Sequence, residues 1–235
     1  MLPLLMFAGL VVLQHAAAVR AATREQMTTT VRALALAIDR DVAGAQAILS
    51  VMPDSPSYAA GDQPAFFREC AGLARGYGAR ILLLDRETQL FDTSLPLGAA
   101  LPPAPPIAAQ TLDTAKPQVS GYFADPAAGA PMVLVTIPLF RDGHPTNTLA
   151  MGLDLDRFAK LLEQQRLPAG WLADIIDRRG TLLARNVSPD RFVGQPALPE
   201  FLQQLTPAEG MVEAQSREER RFRLRSPMPR CRAGS

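Results

Sequence analysis

Hydrophobic and polar positions change period several times along the 235-residue chain, and each change marks an element. Leu2 to Leu13 is apolar apart from Pro3 and Gly9, and the run continues through Gln14 and His15 to Val19, where Arg20 ends it. As a helix rising about 1.5 Å per residue it would measure about 28 Å, close to the hydrocarbon thickness of a bilayer. The run therefore predicts a transmembrane anchor over residues 1–19. A cleaved signal peptide with Ala16-Ala17-Ala18 as its processing site, or a buried core helix, has the same apolar text. No Lys or Arg precedes the run while Arg20 and Arg24 follow it, and the positive-inside rule alone would keep the rest of the chain in the cytoplasm. A basic segment upstream removes that conflict, so Met1 is expected not to be the natural start.

Over residues 20–52 the period becomes helical. Val31, Leu34, Ala35, Ile38, Val42, Ala45, Ile48, Leu49 and Met52 recur at three and four residues, with Arg32, Asp39, Arg40 and Gln46 between them. This predicts a stalk helix with one apolar face, on the order of 45 Å long, stopped at Met52-Pro53. A turn-rich stretch to Asp62 leads into a short helix with Phe66, Phe67, Cys70, Leu73 and Ala74 on one face. Ile81-Leu82-Leu83-Leu84, the polar turn Asp85-Arg86-Glu87-Thr88 and Gln89-Leu90-Phe91 then read as strand, turn, strand. Ninety-two residues later Ile175-Ile176, Asp177-Arg178-Arg179-Gly180 and Thr181-Leu182-Leu183 repeat that text, again after an amphipathic helix, built from Leu155, Phe158, Leu161 and Leu162. The repeat predicts two related modules.

Between the copies lie a Pro/Ala loop (Leu95 to Pro106), a short helix to Ala115, a strand around Val119 to Phe123, and a hairpin from Met132 to Leu155 that turns at Arg141-Asp142-Gly143-His144. Pro138 removes one ladder bond and predicts an edge or a bulge. The first module, 53–165, is thus expected to hold about five strands with helices on one side, an α+β plan. The second, 166–216, has one hairpin, a short helix around Phe201 to Leu205 and one strand near Gly210 to Ala214, and reads as incomplete. Residues 217–235 read as a basic, disordered or truncated tail.

Composition narrows the function. Twenty-four Lys and Arg against 23 Asp and Glu leave a net charge of +1, so no global field exists to hold nucleic acid. The seven Arg between Arg217 and Arg232 could form a basic arm for nucleic acid or anionic lipid, but Phe222 is the only aromatic among them, and no nucleic-acid partner is expected. Cys70 and Cys231 support neither a disulfide framework nor a zinc site, and two histidines, His15 and His144, exclude most His-rich metal chemistry. No nucleophile elbow, zinc-protease helix, Walker loop or dinucleotide fingerprint occurs, so no catalytic residue, cofactor or metal is expected. Asp154 and Asp156 could be paired carboxylates; more simply, Asp156 is a natural N-cap for the helix of Phe158 to Leu162. Asp154 interrupts the apolar strand Leu149 to Leu155, where it either needs a partner or faces solvent. Tyr122 offers a hydroxyl to a polar ligand, or is core.

The order anchor, stalk, Val133-Leu134-Val135-Thr136-Ile137-Pro138-Leu139, Met151-Gly152-Leu153-Asp154-Leu155-Asp156-Arg157-Phe158 and Ile176-Asp177-Arg178-Arg179-Gly180-Thr181-Leu182-Leu183-Ala184-Arg185 resembles the double Cache sensory domains found outside the bacterial inner membrane. Asp190-Arg191-Phe192-Val193-Gly194 is similar to the sensors of histidine kinases in particular. The resemblance implies two stacked PAS-like modules, the membrane-distal one binding a small polar or anionic molecule. It also implies a homodimer through the stalk and an output domain beyond a second membrane span. At its end the sequence departs from that pattern, with no second hydrophobic span or output domain read in it; the leading reading is a periplasmic, membrane-anchored sensor. Its rivals are the N-terminal part of a histidine kinase and a ligand-free dimerisation module. In amino-acid-binding members the aspartate matching Asp154 contacts the ligand's amino group, and the motif wants an Arg followed by Trp and Tyr. The only tryptophan, Trp171, lies beyond the first module. On this resemblance Tyr122 and Asp154 line the site, and Lys116 or Arg141 would hold a carboxylate.

Overall fold

Pro53 decides where the first helix stops. In a computed structural model that describes residues 2–124, 129–168, 170–199, 212–215 and 221–224, leaving out the side chains of 2–24, 212–215 and 221–224, α1 (Leu2–Leu49) ends three residues short of the apolar pattern. Proline has no N–H to give the Leu49 carbonyl, and its ring would collide with that oxygen. The Met52 N–H bonds to it instead, at 3.0 Å. Leu34, Ala35, Ile38, Val42, Ala45 and Leu49 are buried, the face the spacing predicts, while Leu36 is 68% exposed. The anchor expected over 1–19 falls on side chains outside those described. Among the described residues no helix is long and apolar enough to cross a membrane.

After α2 (Pro56–Ala59), α3 (Gln63–Tyr77) starts at Asp62, whose carboxylate accepts the Ala65 N–H at 3.0 Å. It stops at Gly78, φ 65°, a left-handed stop that glycine adopts without a Cβ penalty. An antiparallel sheet follows: β1 (Arg80–Leu84), β2 (Gln89–Asp92), β3 (Gln118–Val119), β4 (Phe123–Ala124), β5 (Pro131–Arg141) and β6 (His144–Asp154). Its order is β2-β1-β6-β5-β3, with β4 also on β5. The β5–β6 turn has Asp142 at φ 53° and Gly143 at φ 79°, the positive values its text predicts. Pro138 lies opposite Thr148, and β3 reaches only Thr136 and Val135, so β5 is locally an edge there, with a register shift at Leu139/Phe140.

Helices cover both faces of this sheet, where the pattern predicts them on one. On one face α1, α3 and α5 (Leu155–Gln164) pack against Ile81, Leu83, Val135 and Met151; on the other α4 (Ile107–Thr114) packs over Leu82, Leu84, Leu134 and Ala150. The physical reason is in the strands: β1 and much of β5 and β6 are apolar at consecutive positions, and burial of each such side chain is worth about 1.5–3 kcal/mol. Neither face can stay wet. Polar contacts fix α1 to this framework. The Tyr77 hydroxyl donates to the Asp41 carbonyl at 3.0 Å and would lie 2.9 Å from a Cβ on Gly44, and the Arg157 guanidinium stacks 4.7 Å over the Tyr77 ring.

The remaining elements are the hairpin β7 (Asp174–Ile176) and β8 (Leu182–Arg185), α6 (Pro189–Phe192), and the pair β9 (Val212–Gln215) and β10 (Arg221–Leu224). Ala173, Ile175, Leu183 and Ala184 join the same core as α1 and the first sheet. Arg185 donates to both Asp174 oxygens at 2.6 and 2.7 Å and lies 4.4 Å over the Phe192 ring. Burial pushes the Asp174 carboxyl above its ordinary value, against the pull of that guanidinium. Strand β10 corrects the expectation of a structureless tail from 217. Arg221-Phe222-Arg223-Leu224 alternates with period two, a strand signal that its arginine content obscured. The helix expected around Phe201 to Leu205 lies outside the described residues.

Cys70 is fully buried on α3, and burial, with Glu69 adding to it, pushes the thiol up to about 12. Only the thiolate alkylates. Iodoacetamide at pH 8 should leave Cys70 unmodified in the native chain and label it fully in denaturant, as read by peptide mass mapping. Native labelling at the unfolded rate would contradict this packing.

Candidate functional site

The repeated aspartates do the same work in both hairpins. Asp85 accepts the N–H groups of Glu87 and Thr88 at 2.8 and 2.6 Å and the Thr88 hydroxyl at 2.7 Å. Slight burial acts upward on its carboxyl, and these hydrogen bonds outweigh it and hold the group below its ordinary value. Asp177 accepts the N–H groups of Arg179 and Thr181, both at 2.8 Å and both on Oδ1. Each hairpin has a register shift before its turn, and each is followed by a bridge to a proline, Thr88 to Pro103 and Thr181 to Pro196. The repeat read from the sequence is thus a repeat of local geometry.

The second copy does one thing more. Asp177 is 4% exposed, and its Oδ2 accepts the Tyr122 N–H at 2.9 Å, which ties the β7–β8 turn to the entry of β4. Two glycines permit this approach. A Cβ on Gly121 would collide with Asp177 Oδ2, and one on Gly194 would sit 3.0 Å from the Tyr122 ring. Gly194 is held there because its N–H donates to the Leu182 carbonyl at 2.8 Å.

A cavity of about 410 Å³ lies at this seam, in the gap between β3 and β4. Its apolar wall comes from Ile38 and Val42 of α1, Ile107 of α4, Phe158 of α5, and Ile175 and Leu183 of the second hairpin. Its polar groups are Gln110, Gln118, Ser120, Tyr122 and Thr181, with Asp177 and the exposed Arg178 and Arg179 on the turn. Among the described residues neither arginine forms an ion pair. Nor do three His, Cys, Asp or Glu side chains come together as a metal-binding group among the described residues.

Of the four residues expected to bind ligand, Tyr122 lines this cavity and the others do not. Lys116 is exposed just after α4. Arg141 is exposed at the far end of β5, about 30 Å along the strand from the Met132–Phe123 pair, where it donates to the Tyr58 carbonyl at 3.1 Å and stacks over that ring. Asp154 is the exposed last residue of β6. It also occupies the N-cap of α5, without a side-chain capping bond, so Asp156 is not the cap; it stands in the first turn, near the positive end of the helix. The glutamines and Gly121 carry no motif by which they could have been found, and the arginine pair stands in the repeated turn text without a signal that it faces a cavity. Asp177 was already visible as a repeat position, but its contact with Tyr122 was not.

Gly121→Ala should lower stability by about 1–3 kcal/mol in urea denaturation, the cost of forcing a methyl group into a filled site. In an Asp177→Ala background the same substitution should cost less than about half as much, since the obstructing carboxylate is gone. Equal costs in both backgrounds would show that the two residues are not coupled.

No protein-family model and no curated protein sequence matches the chain. Solved structures do. The extracellular domain of rpHK1S-Z16, a protein assigned as a histidine kinase, aligns with a TM-score of 0.69 at 17% identity over 84% of this chain and 85% of that one. The ligand-binding domain of the Pseudomonas aeruginosa amino-acid chemoreceptor PctC, in complex with GABA, aligns at 0.55 and 16% identity over 81% and 85%. The sensor domain of the V. cholerae histidine kinase DctB aligns at 0.55 and 12% identity over 80% and 75%. The chain therefore has the fold of the extracellular sensor and ligand-binding domains of histidine kinases and chemoreceptors.

Proposed function

We propose that this chain is the extracytoplasmic, non-catalytic sensor region of a membrane-anchored signalling protein, and that it binds a small polar or anionic metabolite in the seam cavity. In this reading residues 1–19 anchor it in the bacterial inner membrane and 20–52 form the stalk through which two copies associate. Residues 53–165 are the membrane-distal module and 166–216 a partial proximal one. The observation that carries the reading is the cavity: at about 410 Å³ it falls within the range of small-molecule pockets, and it joins an apolar wall to a few convergent polar groups. The fold supports it, since the solved neighbours are named as sensor or ligand-binding domains.

Ile38 and Val42 put the stalk helix itself in the cavity wall, so a ligand would touch the element that leads toward the membrane. It would signal by binding one position of that helix better than another, and a preference of about 1–3 kcal/mol is typical of such coupling. A thermal-shift screen of the purified full chain with organic acids, amines, amino acids and purines should find a stabilising compound. Tyr122→Phe should then weaken it about threefold to tenfold, the worth of one neutral hydrogen bond, while Asp154→Ala changes affinity by less than about twofold, because that side chain is outside the cavity. If no compound stabilises the chain, the ligand-free dimerisation module becomes the better reading.

A further inference from the structure

The charges around the cavity are unbalanced. Asp177 is the one acidic group lining it among the described residues, and its carboxylate already accepts three backbone N–H groups, two from its own turn and one from Tyr122. To hold a ligand's ammonium it would have to give up bonds that close the seam. Arg178 and Arg179 stand on the same turn with no carboxylate of the described protein paired to them. Nearby, the Ser120 hydroxyl is occupied, accepting the Leu134 N–H at 2.8 Å and donating to the Gly121 carbonyl at 2.7 Å. This leaves the Tyr122 and Thr181 hydroxyls, the Gln110 amide and the Gln118 amide oxygen as neutral groups to orient a ligand.

We infer that the seam cavity takes an organic monocarboxylate with an aromatic or branched aliphatic body and no ammonium group, its carboxylate at Arg178 and Arg179 and its body against Ile38, Val42 and Phe158. The inference rests on the reading of the cavity as the sensor's ligand site and names the class of that ligand. Guanidinium groups suit it, because their planar forks match a carboxylate and remain charged at any working pH. An apolar body suits the wall, where a second charge would be desolvated without a partner. A zwitterionic amino acid carries a cation, and the described lining of this cavity has no free carboxylate to pair with it.

Isothermal titration of the full chain with phenylpropionate, L-phenylalanine, phenylpropionamide and phenylpropylamine varies the charges around one apolar body, and isocaproate against L-leucine repeats the comparison with a branched one. The acids should bind at least about tenfold more tightly than the matching amino acids, amide and amine, the difference expected for hydrogen bonds to a charged group. R178Q/R179Q should remove that advantage with an unchanged melting temperature, since both side chains are exposed, and R178K/R179K should restore part of it. Equal or tighter binding of the amino acids or the amine would overturn the inference, as would acid binding unaffected by R178Q/R179Q. If neither acid binds but another class in the wider screen does, the ligand class is wrong and the sensor reading stands. If nothing of any class binds, both fall.

Discussion

Three backbone N–H groups converge on the Asp177 carboxylate, one of them from the opposite side of a seam, and the group is too buried for water to replace any of them. A buried donor left unpaired costs about 1–3 kcal/mol, so the hairpin turn and the edge of the first sheet hold or release together. Everything about the candidate site follows from that bond. It closes the gap between β3 and β4 and requires glycine at 121, while the Gly194 N–H on the Leu182 carbonyl sets Gly194 against Tyr122. It also presents Arg178 and Arg179 to a cavity whose other walls belong to α1, α4 and α5.

The sheet makes such a cavity possible because it is covered on both faces. With α1, α3 and α5 on one side and α4 on the other, the end of the sheet near β4 is where two apolar layers meet and can be bridged by one ligand. Helix α1 is part of the core there. A change in the cavity is therefore felt at Ile38 and Val42 directly, without a relay through the sheet.

Much of the fold was legible from local text. The apolar faces of α1 and α3, the long hairpin with its Asp142-Gly143 turn, and the repeated Asp-Arg hairpins each follow from period or turn chemistry. The placement of α4 was not legible, because a continuous apolar run such as Ile81 to Leu84 says that both faces are buried but not what buries them. Nor was β10, where the Arg-Phe-Arg-Leu alternation was read as charge rather than as a strand. The site was the least legible part. Tyr122 was found as a polar group in an apolar setting. Asp154, Lys116 and Arg141 were found by family position or by charge, and the structure spreads them over one strand end, one helix end and the far tip of the hairpin. Binding sites are built from contacts distant in sequence, and a bond between Tyr122 and Asp177 spans 55 residues with no local signal at either end.

Native-state hydrogen exchange by NMR at the Tyr122, Arg179 and Thr181 amides tests the central claim most directly, because all three donate to one carboxylate. If Asp177 joins the seam, the three amides open with a common free energy, and Asp177→Ala exposes all three together while the amides of β1 and β6 keep their protection. If Tyr122 exchanges freely while Arg179 and Thr181 remain protected, the carboxylate serves only its own turn, and the seam is held by something else.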